Sequence, residues 1–313
     1  MKRIEMPYYN EELKKRYIKG KEISLAVSTN YIDVQFRKAA ELEYEYDKDL
    51  SNWTLYEIVE FYKLLSVSSY ESLICINSTL SLYTQFCLEN SLVKDNQNHY
   101  LECTREVLLT CINKAILDKK IVDKETVLKW VDELPNPRDQ FILLSLFEFG
   151  KSKDFKDIVH ARPEDLNGNE LKLSDRTVII SDKLKGIIYG CIEEDKYTSI
   201  SGKGTKIMPL VDHGYIVKSY PNQNIGLSDF QKGRNIYITC QRIFSYLSIG
   251  SWMSANAISE SGRLHMIKEK AKELNMTPVD YVNSKYIEDV NKQFNVVLIP
   301  SIFIKKYKEY LAQ

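Results

Sequence analysis

Ser72, Asn77, Ser78, Ser81, Thr84 and Gln85 share one face of the stretch SVSSYESLICINSTLSLYTQFCLEN. A helix facing solvent usually carries Lys and Glu there, because long charged stems solvate well. A face of Ser, Asn, Thr and Gln instead lets a helix sit close to the base edges of a nucleic acid. The same face would also suit packing on a second helix through small residues. A Gly-rich segment, Ser201-Gly202-Lys203-Gly204-Thr205-Lys206, is too short for a Gly-x4-Gly-Lys-Thr phosphate loop, so no nucleotide site is expected. It reads as a flexible basic loop.

Other chemistries are excluded by spacing. Cys75, Cys87, Cys103, Cys111, Cys191 and Cys240 never approach zinc or redox-pair spacing, and the four histidines are scattered. The cysteines are expected to be reduced, buried small hydrophobes. No metal site and no cofactor are expected.

The elements that would position the helix face follow from pattern. The chain has 313 residues, 44% of them hydrophobic, enough for two domains with their own cores. No apolar run approaches the roughly 18 residues needed to cross a bilayer. The start, MKRIEMPYYNEELKKR, lacks the apolar region of a secretory signal. A cytoplasmic protein is expected. Net charge is zero, yet residues 201–313 carry fifteen Lys and Arg against nine Asp and Glu. That distribution permits nucleic-acid binding without requiring it.

Almost no Gly or Pro interrupts 21–134, and apolar residues recur at helical spacing. Helices are expected at 8–17, 29–46, from 54 (capped by Thr54 or Asn52, with Glu57 in the first turn), from 69 (capped by Ser69 or Ser68), at 100–118 and at 124–133. The helix from 69 has the apolar stripe Leu73, Ile76, Leu80, Tyr83, Phe86 and Cys87. A domain junction is placed near 122/123. Beyond Leu134-Pro135-Asn136-Pro137 the reading is a helix at 138–149 ending at Gly150, and another from about Asp154. Asn167-Gly168 then marks a hairpin turn and Arg176–Ile180 a strand. Helices at 182–194, 236–249, 260–274, 278–294 and 303–311 follow, with an irregular excursion over 197–234. The fold class is mainly α with a small antiparallel β-sheet.

Several segments carry a resemblance. Arg138-Asp139-Gln140-Phe141 through Phe149-Gly150 looks like the first catalytic-domain helix of the tyrosine recombinase (phage integrase) family. Arg162-Pro163-Glu164-Asp165-Leu166 resembles that family's R-W-E-D-I segment. Arg176–Ile180 with Ser181 and Leu184 resembles its R-x-V-P-L-S-x-x-L strand. Ser72–Phe86 resembles the helix of its core-binding domain. The resemblance spans about 50–295 and implies a helical core-binding domain followed by an α+β catalytic-like domain.

The same resemblance implies what is missing. Cleavage by a tyrosine loads charge on the scissile phosphate, which the family meets with two arginines, a lysine on the sheet and His or Trp groups. Here the turn after Gly150 reads Lys151-Ser152-Lys153-Asp154, without arginine. The His-x-x-Arg box falls on Asn256-Ala257-Ile258-Ser259. A shifted register offers Arg263 but puts Glu260 in the histidine position. Where the nucleophile belongs, Phe294 is the nearest aromatic, with Tyr281 and Tyr286 short of it. Only Lys172 matches, at the sheet lysine. No enzyme activity is therefore expected.

What the resemblance then implies is a clamp on double-stranded DNA at operator sites, a prophage transcriptional repressor that maintains lysogeny. Asn77 would contact adenine, with Ser72, Ser78, Thr79 and Ser81 near bases or phosphate, and Tyr70 and Lys114 on the backbone. Lys151, Lys153, Lys172, Arg176, Lys203 and Lys206 would meet phosphates. A regulatory protein partner fits that role, and both monomer and dimer stay open. Two other readings compete: an active, divergent recombinase using Tyr286 or Tyr281 with Arg263, and a helical protein–protein module without DNA affinity.

Overall fold

The computed structural model describes residues 7–25, 30–200, 206–221, 226–250 and 252–312. The chain divides into two compact units, 1–118 and 119–313. No helix among the described residues is long and apolar enough to cross a membrane.

The N-terminal unit is helical: α1 (Glu11–Leu25), α2 (Asn30–Tyr46), α3 (Leu55–Leu64), α4 (Tyr70–Glu89) and α5 (Arg105–Thr110). Helix α6 (Lys114–Lys120) carries the chain across the division. Thr54 caps α3 in a full capping box with Glu57. Ser69 caps α4 by accepting from the Ser72 amide. Such a cap contributes about 1 kcal/mol. The expected helix over 100–118 is instead a 3-10 turn followed by α5 and α6. Thr104 and Asn113 each accept an amide hydrogen three residues on, and each starts a new helix.

The core of this unit packs Tyr17, Phe36, Tyr83, Trp53, Phe61 and Tyr100. Helix α1, which reads as charged, is anchored by a buried cation. Lys14 is fully buried and paired with Glu43, with Asp49 at 3.8 Å. Asp49 also accepts from Tyr83 Oη at 3.0 Å and Asn10 at 3.1 Å. Paired and hydrogen-bonded, the charges can be buried; removing one partner would leave the others stranded.

The second unit runs α7 (Lys124–Glu133), α8 (Pro137–Glu148), α9 (Lys156–His160), β1 (Leu166–Asn167), β2 (Glu170–Lys172), β3 (Thr177–Ile179) and α10 (Asp182–Glu193). Then come β4 (Lys196–Thr198), β5 (Ile207–Pro209), α11 (Asp229–Tyr246), α12 (Ala255–Glu273), α13 (Pro278–Asn283), α14 (Ile287–Phe294) and α15 (Pro300–Leu311). Strands β1, β2 and β3 form an antiparallel sheet with Leu171 opposite Val178. The hairpin turn holds Gly168 at φ +61°, a conformation glycine adopts without strain. The excursion over 197–234 contains the two-stranded β4–β5 sheet, which the pattern did not announce. Helix α11 starts seven residues earlier than expected, because Ser228 and Gln231 form a capping box. The expected helix over 278–294 breaks at Ser284, whose backbone is extended.

Helix α12 lies directly on α8. A Cβ at Gly262 would fall 1.7 Å from the carbonyl oxygen of Phe147, so only glycine allows that approach. The core gathers on the apolar helix α8 and includes Phe141, Leu144, Val178, Leu184, Ile243 and Ile258.

Candidate nucleic-acid interface

Three segments far apart in sequence meet below the turn after α8. Gly150 holds φ +84°, and a Cβ there would lie 2.8 Å from both Phe294 Cδ1 and Ser259 Oγ. These positions are the start of the turn, the box on α12 and the end of α14, where the resemblance puts the first arginine, the second arginine and the nucleophile. Phe294 is 2% exposed and Ser259 7%. The neighbouring Gln293 stitches the junction shut. Its carboxamide donates to the carbonyls of Glu148 (3.0 Å) and Ile179 (2.8 Å) and accepts from the Ile179 amide (3.1 Å).

Arg176 was expected on phosphate, and the structure corrects this. Its side chain is 5% exposed and contacts the buried Asp157 at 2.8 Å, off the hydrogen-bonding direction. It also pairs with Asp175 and donates to the carbonyl of Gln293 at 3.4 Å. The guanidinium is consumed as internal glue between β3, α9 and α14. Arg263 is also turned inward, 3.9 Å from Glu260, which takes Lys306 at 2.9 Å. Tyr281 is fully buried and donates to the Tyr286 carbonyl, and burial pushes its hydroxyl up to about 12. Tyr286 is exposed and stacks on it.

The open cationic surface lies beside this junction. Lys172 projects from β2 opposite Thr177 and lines a hollow of about 220 Å³ with Lys156, Asp157, His160 and Ser174. Lys156 and His160, spaced four apart on α9, both approach Asp229, at 3.9 and 3.0 Å. Neither was singled out from the sequence, although their i,i+4 spacing on a short helix was the available signal. Lys153 and Lys206 are exposed, and Lys151 leans over the Phe155 ring at 5.2 Å. Lys203 and the side chain of Lys114 lie outside the described residues.

On α4 the outward face differs from the expected one. Asn77 accepts from Tyr62 Oη at 2.8 Å and donates to the Tyr100 carbonyl at 3.1 Å, so its amide serves the core rather than a base. Ser81 accepts from Asn98, Thr79 bonds back to the Cys75 carbonyl, and Thr84 is buried. Three of the small polar residues thus settle intramolecular bonds. The outward stripe is Ser72, Ile74, Cys75, Ser78, Leu82 and Gln85. Tyr70, half-buried, lies under the guanidinium of Arg105. Cys75 is exposed, against the expectation for the cysteines, while the other five are buried.

A family model described as "MrpR, C-terminal catalytic domain" matches residues 121–312, and one described as "MrpR, N-terminal core-binding domain" matches 8–89. The chain belongs to the MrpR family. It is 26% identical over 298 residues to the SPbeta prophage-derived uncharacterized protein YopR of Bacillus subtilis (strain 168), covering 90% of this chain and 88% of that protein. A crystal structure of XerA recombinase aligns over 97% of this chain and 98% of its own, with TM-score 0.40 and 9% identity. The MrpR architecture is the core-binding plus catalytic-domain arrangement of tyrosine recombinases, mostly helical with small antiparallel sheets. The C-terminal MrpR match contains all three segments that meet at Gly150, and Lys172 as well. The N-terminal MrpR match ends at Glu89, the last residue of α4.

Proposed function

We propose that this MrpR-family protein binds double-stranded DNA sequence-specifically and does not cut it, acting as a prophage transcriptional repressor that maintains lysogeny. The observation that carries this reading is the junction of Gly150, Ser259 and Phe294. Strand cleavage by a tyrosine needs a phenolic oxygen and guanidinium groups at the scissile phosphate. Phe294 has no hydroxyl, Ser259 no charge, and Arg176 is spent on Asp157. The open lysines Lys153, Lys156 and Lys172 keep what non-covalent phosphate binding needs. A protein that occupies its site without cutting it blocks transcription there. The prophage origin of YopR supports the setting, and the work would be done in the cytoplasm, where a regulatory protein partner could relieve repression.

The test is binding to restriction-fragmented DNA of the source genome and its prophages across a salt series, with denaturing gels run for covalent adducts. Retention of a few fragments, a log K against log salt slope of several units and no adduct are expected. A covalent adduct would overturn the non-cutting half of the reading. No binding at low salt would overturn the DNA half.

A further inference from the structure

Apart from the junction and the Lys172 hollow, the second unit contains a cavity of about 170 Å³ between α8, α11 and the 213–219 segment. It shares no lining residue with the Gly150, Ser259 and Phe294 junction. That volume is below the roughly 300–1,000 Å³ of pockets for drug-sized ligands, which leaves room for a small ion and excludes a nucleotide. Its lining includes Arg138, His213, Lys218 and Lys232, with Tyr215 and Thr239, and among the described residues none that line it is acidic.

Two of these basic residues are fixed in the wall. Arg138 is 6% exposed, sandwiched near the rings of Tyr197 and Tyr220 at 5.0 and 5.4 Å. Its Nη1 donates to the Lys218 carbonyl at 3.1 Å, while its Nε is buried with no hydrogen-bond partner among the described residues. Lys218 is buried and donates to the carbonyls of Ile192 (2.6 Å) and Glu194 (2.9 Å), two of the three bonds an ammonium can make. Behind them stand Asp139 and Glu194, each with one carboxyl oxygen unpartnered. Burial raises both carboxyl groups, Glu194 to about 7. Lys232 is half-exposed and His213 exposed, at the mouth. A buried guanidinium and a second buried cation in the wall, with Lys232 and the His213 imidazole at the entrance and no acidic lining residue among those described, make an anion cradle.

We propose that this cavity binds a phosphate-type oxyanion, held by Arg138 and Lys218 in the wall and by Lys232 and His213 at the mouth. The inference does not depend on the DNA-binding reading. Full-length protein would be titrated with sodium phosphate against sodium chloride at matched ionic strength, by calorimetry and thermal unfolding, with no DNA present. Saturable phosphate binding and a phosphate-dependent rise in Tm are expected. Lys232→Gln should weaken binding about tenfold, and His213→Gln less, with the phosphate-free Tm unchanged in both. Absence of saturable binding, or equal affinity in wild type and both variants, would overturn the proposal. A short duplex that displaces phosphate would identify the occupant as a DNA phosphate; a duplex that binds without displacing it would identify a free anion.

Discussion

The junction under Gly150 and the hollow around Lys172 lie in one unit, a few residues apart along β2, β3 and α9, and have opposite character. The junction is sealed: an aromatic ring, a serine and a carboxamide fill it, and its arginine is neutralised by Asp157. The hollow is open: Lys156 and Lys172 are exposed and His160 half-buried, with Asp229 close to Lys156 and His160. Residues that a sequence reading would group by charge therefore do two jobs. Buried charge holds elements together, while exposed charge is available to a polyanion.

Substitutions can break this contrast. Phe294→Ala should have the largest effect, destabilising the C-terminal unit by about 3–5 kcal/mol through the cavity it leaves, read by urea unfolding. Asp157→Ala should cost less, about 1–3 kcal/mol, because the Arg176 guanidinium loses its buried counter-charge but keeps Asp175 and the Gln293 carbonyl. If Arg176 instead turned outward and raised DNA affinity at no cost in stability, the sealed reading would fail. Phe294→Tyr places a hydroxyl in a packed site and should cost about 1–3 kcal/mol, and it should give no covalent adduct with DNA. An adduct from that single change would show that the junction still presents a working phosphate cradle.

On the open side, Lys156→Ala and Lys172→Ala should each move stability by less than about 0.5 kcal/mol. Each should lower the salt slope of DNA binding by about 1 while weakening all sequences alike. The smallest effect concerns pH. His265 packs against the Phe147 ring at 5.6 Å, and burial, reinforced by Lys124 and Lys268, holds its imidazole below the usual value of 6.5. A lowered folded-state value means that stability is present above about 6.5 and is lost as pH falls below it. Acidifying from pH 7 to 5.5 should weaken the C-terminal unit, and His265→Gln should flatten that dependence in thermal melts.

Much of the architecture was legible from residue pattern. Capping signals at Thr54 and Ser69, the Gly150 stop and the Gly168 hairpin each express a local preference that packing did not override. The failures were also local. Residues 100–118 carry helical spacing but contain Thr104 and Asn113, whose side chains restart the backbone. The β4–β5 sheet pairs Lys196–Thr198 with Ile207–Pro209 across a Gly-rich segment, and short strands of that length leave little periodicity to read. At the site, the positions aligned with the family's catalytic groups did converge in space. Which polar side chains face outward was not legible. Asn77 and Ser81 turn inward because Tyr62, Tyr100 and Asn98 offer them partners that lie 15 to 23 residues away along the chain. Arg176 does the same for Asp157.

The exposure of Cys75 gives this protein a built-in handle. Among the described residues it is the one exposed thiol, on the outward stripe of α4, while burial makes the other five hard to ionise or reach. A maleimide dye should therefore label the native chain at one place, without a cysteine-free background, and its emission would report any macromolecule that settles on that helix.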